Sequence, residues 1–176
     1  MIYGKNVRLR AIEREDIPNF VRWFNDPELR RYIQMNEPMS KAGEERWFED
    51  RLSKKGDYIF GIEAQVGEEW VSIGNLGLHQ VDWKNRCAVF GIILGEKAYW
   101  GKGLGTEAAR TALRFAFDEL NLHRVELEVY AFNPRAIRCY EKVGFRREGT
   151  RREALFREGK YHDVHTMAIL QPEFTT

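Results

Sequence analysis

Residues 99–108, Tyr99-Trp-Gly-Lys-Gly-Leu-Gly-Thr-Glu-Ala108, form a glycine-rich stretch between an apolar run and an amphipathic segment. The apolar run, residues 88–94, has the composition of a buried strand, and residues 104–120 repeat small and apolar side chains at helical spacing. Glycines let a backbone approach a ligand closely, and the start of a helix offers unpaired N–H groups and the positive end of its dipole. The stretch therefore predicts a strand-to-helix turn that either cradles a phosphate or serves only as a turn.

Two known phosphate-binding motifs fit this turn incompletely. Gly101-Lys102-Gly103 is not a Walker motif, because neither Ser nor Thr follows the lysine at the required spacing. Gly103-Leu-Gly105-Thr-Glu-Ala108 fits the loose dinucleotide pattern GxGxxG/A, which normally opens a parallel, doubly wound sheet. Here the pattern lies behind a series of predicted hairpins, which disfavours the alternative of an NAD(P)-binding oxidoreductase.

The segments around the turn predict an α/β fold with a mixed, mostly antiparallel sheet, a central βαβ unit and about four flanking helices. The helix of residues 104–120 connects two strands, which should therefore lie parallel. Short turns join most of the other strands, whose neighbours should be antiparallel. Asn25-Asp26-Pro27 should end the first helix, because a residue before proline avoids the helical region. The predicted strands are 5–11, 58–66, 70–78, 88–94, 125–130, 145–155 and 161–170, and the predicted helices are 15–24, 40–54, 104–120 and 133–143.

Length and composition indicate one domain, residues 1–176. Apolar residues make up 43% of the chain, and 28 Lys and Arg against 27 Asp and Glu leave a net charge of +1. This balance argues against charge-driven disorder and against a nucleic-acid-binding protein. No apolar run reaches the roughly 20 residues of a membrane span, and the N-terminus does not resemble a secretory signal. Cys87 and Cys139 are isolated, so we expect a reduced, cytoplasmic protein.

Residues 99–108, together with Asn133-Pro-Arg-Ala-Ile-Arg-Cys-Tyr-Glu-Lys-Val-Gly-Phe145, closely resemble the Gcn5-related N-acetyltransferases, or GNAT superfamily. Within it the chain resembles the branch of the ribosomal-protein alanine acetyltransferases and spermidine acetyltransferases. Val7-Arg-Leu-Arg-Ala-Ile-Glu-Arg-Glu-Asp16, the Asn25-Asp26-Pro27 turn and Tyr161-His-Asp163 also fit this branch, so the resemblance spans nearly the whole chain.

The resemblance implies that acetyl-coenzyme A (acetyl-CoA) binds between splayed strands in a core of residues 86–145, without a metal. The strand contacts would come from Ile92, Ile93 and Leu94, and Asn133 would bond the pantetheine arm while it also caps its helix. Four basic residues would lie near the cofactor groove and either meet the adenosine phosphate or be solvated: Lys102, Arg135, Arg138 and Lys142. Trp100 departs from the family, which often has Gln or Arg at that position. The pyrophosphate would lie on the backbone N–H groups of the loop: Trp100, Gly101, Lys102, Gly103, Leu104, Gly105 and Thr106.

The same resemblance assigns the acid, whereas the base is less clear. Tyr140 matches the family tyrosine that protonates the departing coenzyme A thiolate, and it lies two helical turns after Asn133. Where family members often carry a strand glutamate, this chain has Val89. Glu63 is therefore our predicted general base, with His79 as the alternative. A backbone N–H near Ile93 or Leu94 would bind the oxyanion.

These features predict an N-acetyltransferase that transfers an acetyl group to a primary amine by direct attack in a ternary complex. The N-terminal third would form the acceptor side of the cleft. Its acidic residues would either suit a polyamine or form a solvated helix face. A protein N-terminus and small amines are the alternative acceptors. A non-catalytic acyl-CoA sensor would share the same cofactor site. We expect no nucleic-acid or membrane partner and a homodimer formed through the C-terminal strands. The acidic residues are Glu37, Glu44, Glu45, Glu49 and Asp50.

Overall fold

The computed structural model describes residues 1–53 and 56–175, which fold around one eight-stranded sheet. The strand order is β1-β2-β3-β4-β5-β6-β8-β7, and the pair β5–β6 is parallel whereas all other neighbours in this described sheet are antiparallel. The strands are β1 Ile2–Tyr3, β2 Val7–Ala11, β3 Tyr58–Val66, β4 Glu69–Asp82, β5 Cys87–Leu94, β6 Arg124–Tyr130, β7 Arg146–Arg157 and β8 Lys160–Leu170.

Five α-helices accompany the sheet in the described residues: α1 Ile17–Phe24, α2 Pro27–Arg30, α3 Lys41–Ser53, α4 Leu104–Arg114 and α5 Pro134–Val143. The predicted fold class, with its central βαβ unit β5–α4–β6, is confirmed. A doubly wound parallel sheet is not present in the described strands, so the dinucleotide alternative lacks its structural context. None of the helices described is long and apolar enough to span a membrane.

Helix ends differ from the predictions in ways the local sequence explains. Asn25-Asp26-Pro27 ends α1 as predicted, but the Asp26 carboxylate accepts hydrogen bonds from the backbone of Glu28 and Leu29 and starts α2, which we did not predict. The helix predicted over 104–120 is α-helical to Arg114 and continues as a π-helical turn, Phe115–Glu119. The predicted end of α3 at Lys54 lies outside the described residues.

The core has two parts that together position the cleft. In the larger part, α4 and the π-helical turn after it pack through small side chains with no exposed surface: Ala108, Ala109, Ala112 and Ala116. The smaller part lies under α1, α2 and α3 around Phe20, Trp23, Phe24 and Leu29. Ile93 and Trp100 pack against this second part, so the end of β5 and the glycine-rich loop contact both cores.

Candidate active site

The cleft exists because β5 and β6 pair only at their beginnings. The parallel ladder joins Cys87 to Arg124, Ala88 to Val125 and Val89 to Glu126, and the described strands form no further pairs beyond that point. The second half of β5 remains paired with β4, whereas the second half of β6 is paired with β8. The two strands therefore splay apart, and each turns one edge of backbone N–H and C=O groups towards a cavity of about 570 Å³.

Close backbone contacts hold β5 in its bent course. The N–H groups of Gly95 and Glu96 both donate to the carbonyl oxygen of Ile73 on β4, at 2.9 and 3.1 Å. Gly74 makes the approach feasible, because a Cβ atom there would lie 2.1 Å from the carbonyl oxygen of Ile93. The end of β5 is thus drawn over β4 and away from β6, which opens the cleft.

The α1–α2 region is fastened to the segment that follows β5. Trp23 Nε1 donates to Glu96 Oε1 at 2.9 Å, and Lys97 Nζ lies 2.8 Å from Asp26 Oδ2. The Arg22 guanidinium also bonds the Glu96 carboxylate and, with the Trp23 hydrogen bond, lowers the pKa of that carboxyl group. The wall of the cavity formed by the N-terminal region is therefore coupled to the loop that leads into α4.

The glycine-rich loop presents its backbone to the cavity as predicted. Gly101 and Gly103 have φ values of 74° and 81°, a left-handed conformation that suits glycine, and a Cβ atom added at either would meet no atom of the described residues within 4 Å. Gly103 is the N-cap of the 11-residue helix α4, so the first-turn N–H groups of that helix are free for an anion. Gly101, Gly103, Gly105 and Thr106 line the cavity.

Trp100 fixes the start of the loop by its side chain. Its indole Nε1 donates to the carbonyl oxygen of Leu94 at 2.7 Å, which ties the loop to the end of β5. The Arg135 guanidinium carbon lies 3.8 Å from the Trp100 ring centre and 5.6 Å from that of Tyr32. Trp100 thus contributes a structural hydrogen bond and a cation–π contact where the family often has Gln or Arg.

Helix α5 brings Asn133 and Tyr140 to the same cavity. Asn133 Oδ1 accepts a hydrogen bond from the backbone N–H of Ala136 at 3.1 Å, so the cap uses the side-chain oxygen and leaves the amide nitrogen for another acceptor. Tyr140 is buried between Phe90 and Phe145, with ring centres 6.4 and 5.8 Å away. Burial raises the pKa of Tyr140, so its hydroxyl stays protonated at neutral pH.

The structure brings most of the predicted site residues together around this one cavity. Lys102 and Leu104 are exceptions: the Lys102 side chain lies over the Tyr99 ring, and Leu104 packs against the main core. Both belong to the loop only through their backbone. The predicted residues that line the cavity are Ile92, Ile93, Leu94, Trp100, Gly101, Gly103, Gly105, Thr106, Asn133, Arg135, Arg138 and Tyr140.

The structure does not bring Glu63, our predicted general base, to the cavity. Its carboxylate is bound by Arg8 Nε at 2.5 Å and by Arg10 Nε at 2.7 Å, and it does not line the cavity. The side chain is held by two arginines on β2, at the opposite edge of β3 from the cleft. His79 also lies outside the cavity lining, and its Nδ1 is 3.6 Å from Asp57 Oδ2.

The acidic residues of the N-terminal third do not face the cavity either. Glu44 is buried, with 1% exposure, and Oε1 has no hydrogen-bond partner among the described residues. Glu45 lies 3.8 Å from Lys41, and Glu49 pairs with Arg14. None of the five acidic residues named above lines the cavity, so the proposed link between their charge and a polyamine acceptor is not supported.

Sequence reasoning missed the part of the cavity lining that comes from the segment after α2 and from β6 and β7. Tyr32, Ile33 and Gln34 line it from the segment after α2, and Glu128 and Arg151 line it from β6 and β7. The alternation of residues 124–130 could have placed Glu128 on one face of its strand, but the interleaved charges of residues 146–158 gave no sign that Arg151 differs from its neighbours.

The described residues contain no cluster of His, Cys, Asp or Glu suited to a metal ion.

Comparisons with known proteins agree with this geometry. The acetyltransferase (GNAT) domain family matches residues 6–146. Spermidine N(1)-acetyltransferase of Vibrio cholerae is 33% identical over 173 residues, covering 97% of this chain and 96% of that protein. YokL, an uncharacterized prophage-derived N-acetyltransferase of Bacillus subtilis, is 34% identical over 172 residues, covering 97% of this chain and 93% of that protein.

A solved structure extends the similarity to three dimensions. The spermidine N-acetyltransferase of Vibrio cholerae, in complex with coenzyme A and spermine, superposes with a TM-score of 0.87 at 31% identity and covers 96% of this chain and 97% of that chain. The predicted resemblance is confirmed: this chain belongs to the GNAT acetyltransferases and is an N-acetyltransferase that uses acetyl-CoA.

Proposed function

We propose that the chain transfers the acetyl group of acetyl-CoA directly to a primary amine inside the cavity between β5 and β6. The observation that carries this proposal is the splay of the two strands beyond Val89, which turns two unpaired backbone edges towards a cavity that ends on a helix N-terminus. An extended chain of amide groups with a phosphate at one end fits such a cleft, because the strand edges supply hydrogen bonds and the helix start attracts the anion. Residues 86–145 form the cofactor-binding core.

Different residues of this core bind different parts of the cofactor. The backbone of Ile92, Ile93 and Leu94 bonds the pantetheine arm along β5, and Asn133 adds its amide nitrogen from α5. The loop from Trp100 to Thr106 binds the pyrophosphate through backbone N–H groups. Arg138 and Lys142, both on α5 and both lining the cavity, add positive charge beside that loop.

Tyr140 is the general acid in this scheme. The thioester supplies an activated carbonyl carbon, and the neutral amine attacks it to form the new C–N bond. As the C–S bond breaks, the sulfur takes the electron pair, and the Tyr140 hydroxyl donates its proton to the sulfur. The proton lost by the amine restores the phenol, so the step is balanced. A backbone N–H near Ile93 or Leu94 stabilises the oxyanion, because both residues line the cleft at the bend of β5.

The acceptor enters at the end of the cavity lined by residues 32–34 and by β6 and β7. Among primary amines, a polyamine is suggested by the names and ligand of the Vibrio cholerae relatives. A protein N-terminus is suggested by YdaF of Bacillus subtilis, a putative ribosomal N-acetyltransferase. YdaF is 34% identical over 65% of this chain and 62% of that protein. Small amines are a third class of acceptor.

The test is acetyl-CoA-dependent thiol release with spermidine, an alanine-started peptide, an amino sugar and an aminoglycoside. Tyr140→Phe should lower kcat by about 100-fold and leave acetyl-CoA affinity unchanged, because it removes only the acid. Tyr3→Phe, at an exposed position of β1 that does not line the cavity, is the matched control and should behave like the wild type. Equal kcat values for Tyr140→Phe and the wild type would refute the assignment, and binding of acetyl-CoA without turnover of any amine would favour the sensor alternative.

We also propose that the protein acts in the cytoplasm as a homo-oligomer. Cys87 and Cys139 are both free thiols, as expected in a reducing compartment. Phe156 and Tyr161 are 61% and 65% exposed and their rings contact each other, with centres 4.9 Å apart, at the end of the β7–β8 hairpin, a surface suited to contact with a second copy. The Vibrio cholerae spermidine N-acetyltransferase has been solved as a dodecamer. Light scattering of the wild type and of Phe156→Ser tests this; an unchanged mass in the variant would refute the hairpin contact.

A further inference from the structure

The acceptor end of the cavity carries one negative and one positive side chain. Glu128 of β6 is the single carboxylate among the described residues that line the cavity, and Arg151 of β7 is the cation at the same end. The other cations of the lining lie on α5: Arg138 and Lys142 are beside the glycine-rich loop, and Arg135 is stacked between Trp100 and Tyr32.

Strand register brings Glu128 and Arg151 together across β8. Tyr130, Val164 and Arg151 lie directly opposite one another on β6, β8 and β7. Glu128 is two residues before Tyr130 and therefore on the same face of the sheet. Arg151 Nη1 donates a hydrogen bond to Glu128 Oε1, and Val164 lies between the two strands below this ion pair.

The ion pair changes which acceptors the cavity favours. A polyamine has a second ammonium group that needs a carboxylate, but Glu128 is already paired with Arg151, and the acidic residues of α3 lie elsewhere. The Arg151 side chain is 56% exposed and that of Glu128 48%, so the guanidinium stays accessible while it is paired. The contact with Glu128 uses only Nη1, whereas a guanidinium has five N–H donors, so Arg151 can bind a second carboxylate.

We propose that the acceptor is a small primary amine that carries a carboxylate, and that Arg151 binds this carboxylate. This inference rests on the proposed acetyl transfer and names its substrate class. Arg151 holds the carboxylate of the acceptor by two parallel N–H···O bonds, and the amine at the other end of the molecule points towards the thioester. Glu128 orients the guanidinium and repels a carboxylate placed on the β6 side.

The experiment compares amines of equal length that differ only in their second end group. The probes are ω-amino acids with two to six methylene groups and, for each, the alkylamine and the diamine of matched length. The kcat/KM of the best ω-amino acid should exceed that of its matched alkylamine by about 10–100-fold, the range for hydrogen bonds to a charged group. Arg151→Gln should remove this preference without lowering kcat/KM for the alkylamine, and Arg151→Lys should restore part of it.

Arg152→Gln is the matched control, because Arg152 is the next residue on β7, is exposed and does not line the cavity. It should keep the preference for the ω-amino acid. A higher kcat/KM for the alkylamine or the diamine at every length would overturn the inference, as would equal losses with both kinds of amine in Arg151→Gln.

A binding measurement separates this inference from the proposed function. Calorimetry with the coenzyme A complex should show binding of the ω-amino acid by the wild type and its loss in Arg151→Gln. If that binding is present but no amine is acetylated, the proposed reaction fails and the carboxylate site stands. If neither binding nor acetylation of any ω-amino acid exceeds that of its matched alkylamine, the carboxylate site fails, whatever amine the enzyme acetylates.

Discussion

Gly74 is the position at which one added methyl group should disturb the cleft most directly. A Cβ atom at Gly74 would lie 2.1 Å from the carbonyl oxygen of Ile93 and 3.0 Å from the Cα atom of Leu94. Both are backbone atoms, so no side-chain rotation relieves the contact. Carbon–oxygen contacts in sheets begin at about 3.3 Å, and Gly74→Ala must therefore displace the end of β5 by about 1 Å.

The displacement should affect stability and activity together. Overpacking of this kind costs about 1–3 kcal/mol of the free energy of unfolding. For a chain of this length, a loss of about 2 kcal/mol corresponds to a fall in Tm of about 4–8 °C. Since Ile93 and Leu94 line the cleft, the thioester and the oxyanion donor would also be misplaced, and a 1 Å error of that kind can reduce the rate by about 100-fold. We therefore expect kcat/KM to fall by about 10–100-fold.

Three measurements test this prediction: urea unfolding, calorimetric titration with acetyl-CoA, and thiol release with the best acceptor. Gly91→Ala is the stability control, because it adds the same methyl group on β5, where the nearest atom, His79 Nε2, is 3.8 Å away. That variant should change the free energy of unfolding by less than about 0.5 kcal/mol. The reasoning is refuted if Gly74→Ala unfolds and turns over like the wild type, or if Gly91→Ala is destabilised equally.

Four further variants test separate parts of the site. Trp100→Phe keeps an aromatic ring but removes the hydrogen bond to Leu94, so calorimetry should show acetyl-CoA affinity reduced by about 5–10-fold; an unchanged affinity would contradict this. Glu63→Gln should keep kcat and its pH profile, while urea unfolding should show a loss of about 1–3 kcal/mol in the free energy of unfolding. A fall in kcat at unchanged stability would instead support Glu63 as the general base. Asn133→Asp keeps the capping oxygen but not the amide donor, so Tm should hold while acetyl-CoA affinity falls; the reverse pattern would make Asn133 a cap only. Burial raises the pKa of Glu44 to about 7, so the folded state holds a proton that the unfolded state releases, and the free energy of unfolding should fall as the pH rises from about 4.5 through 7. Glu44→Gln should remove this dependence. Equal slopes of the free energy of unfolding against pH in both proteins would refute it.

The cofactor half of the site could be predicted because its signals are local. Gly101, Gly103 and Gly144 all have positive φ values where the sequence placed turns or a helix end, and Asn133 caps α5 as its position before Pro134 indicated. Glycine and proline restrict the backbone by themselves, so such features do not depend on distant residues. The splay of β5 from β6 could be predicted only from the family resemblance, because no residue pattern within either strand indicates it.

The acceptor half could not be predicted because it depends on long-range contacts. Glu63 lies within four consecutive buried residues of β3, 61–64, and this run does not show that Arg8 and Arg10 lie on the neighbouring strand and bind it. Helix α2 has four residues, too few for a helical period, and Asp26 was interpreted as a stop although it is also a cap. The surroundings of Glu63 could not be predicted because its arginine partners lie 55 and 53 residues away in the sequence, whereas the Asp26 cap is local and was overlooked.

This contrast explains why the family fixes the reaction but not the acceptor. The side of the cleft that we propose for the cofactor is built largely from backbone: the unpaired edge of β5, the loop of residues 100–106 and the start of α4. A backbone site tolerates a changed side chain, as at Trp100, provided that the loop keeps its course. The acceptor side is built from side chains on three separate elements, the segment after α2, β6 and β7, and single substitutions there change its charge. Relatives at about one-third identity can therefore share the cleft while the charges of its side-chain lining differ, so the acceptor has to be inferred from this chain's own charges.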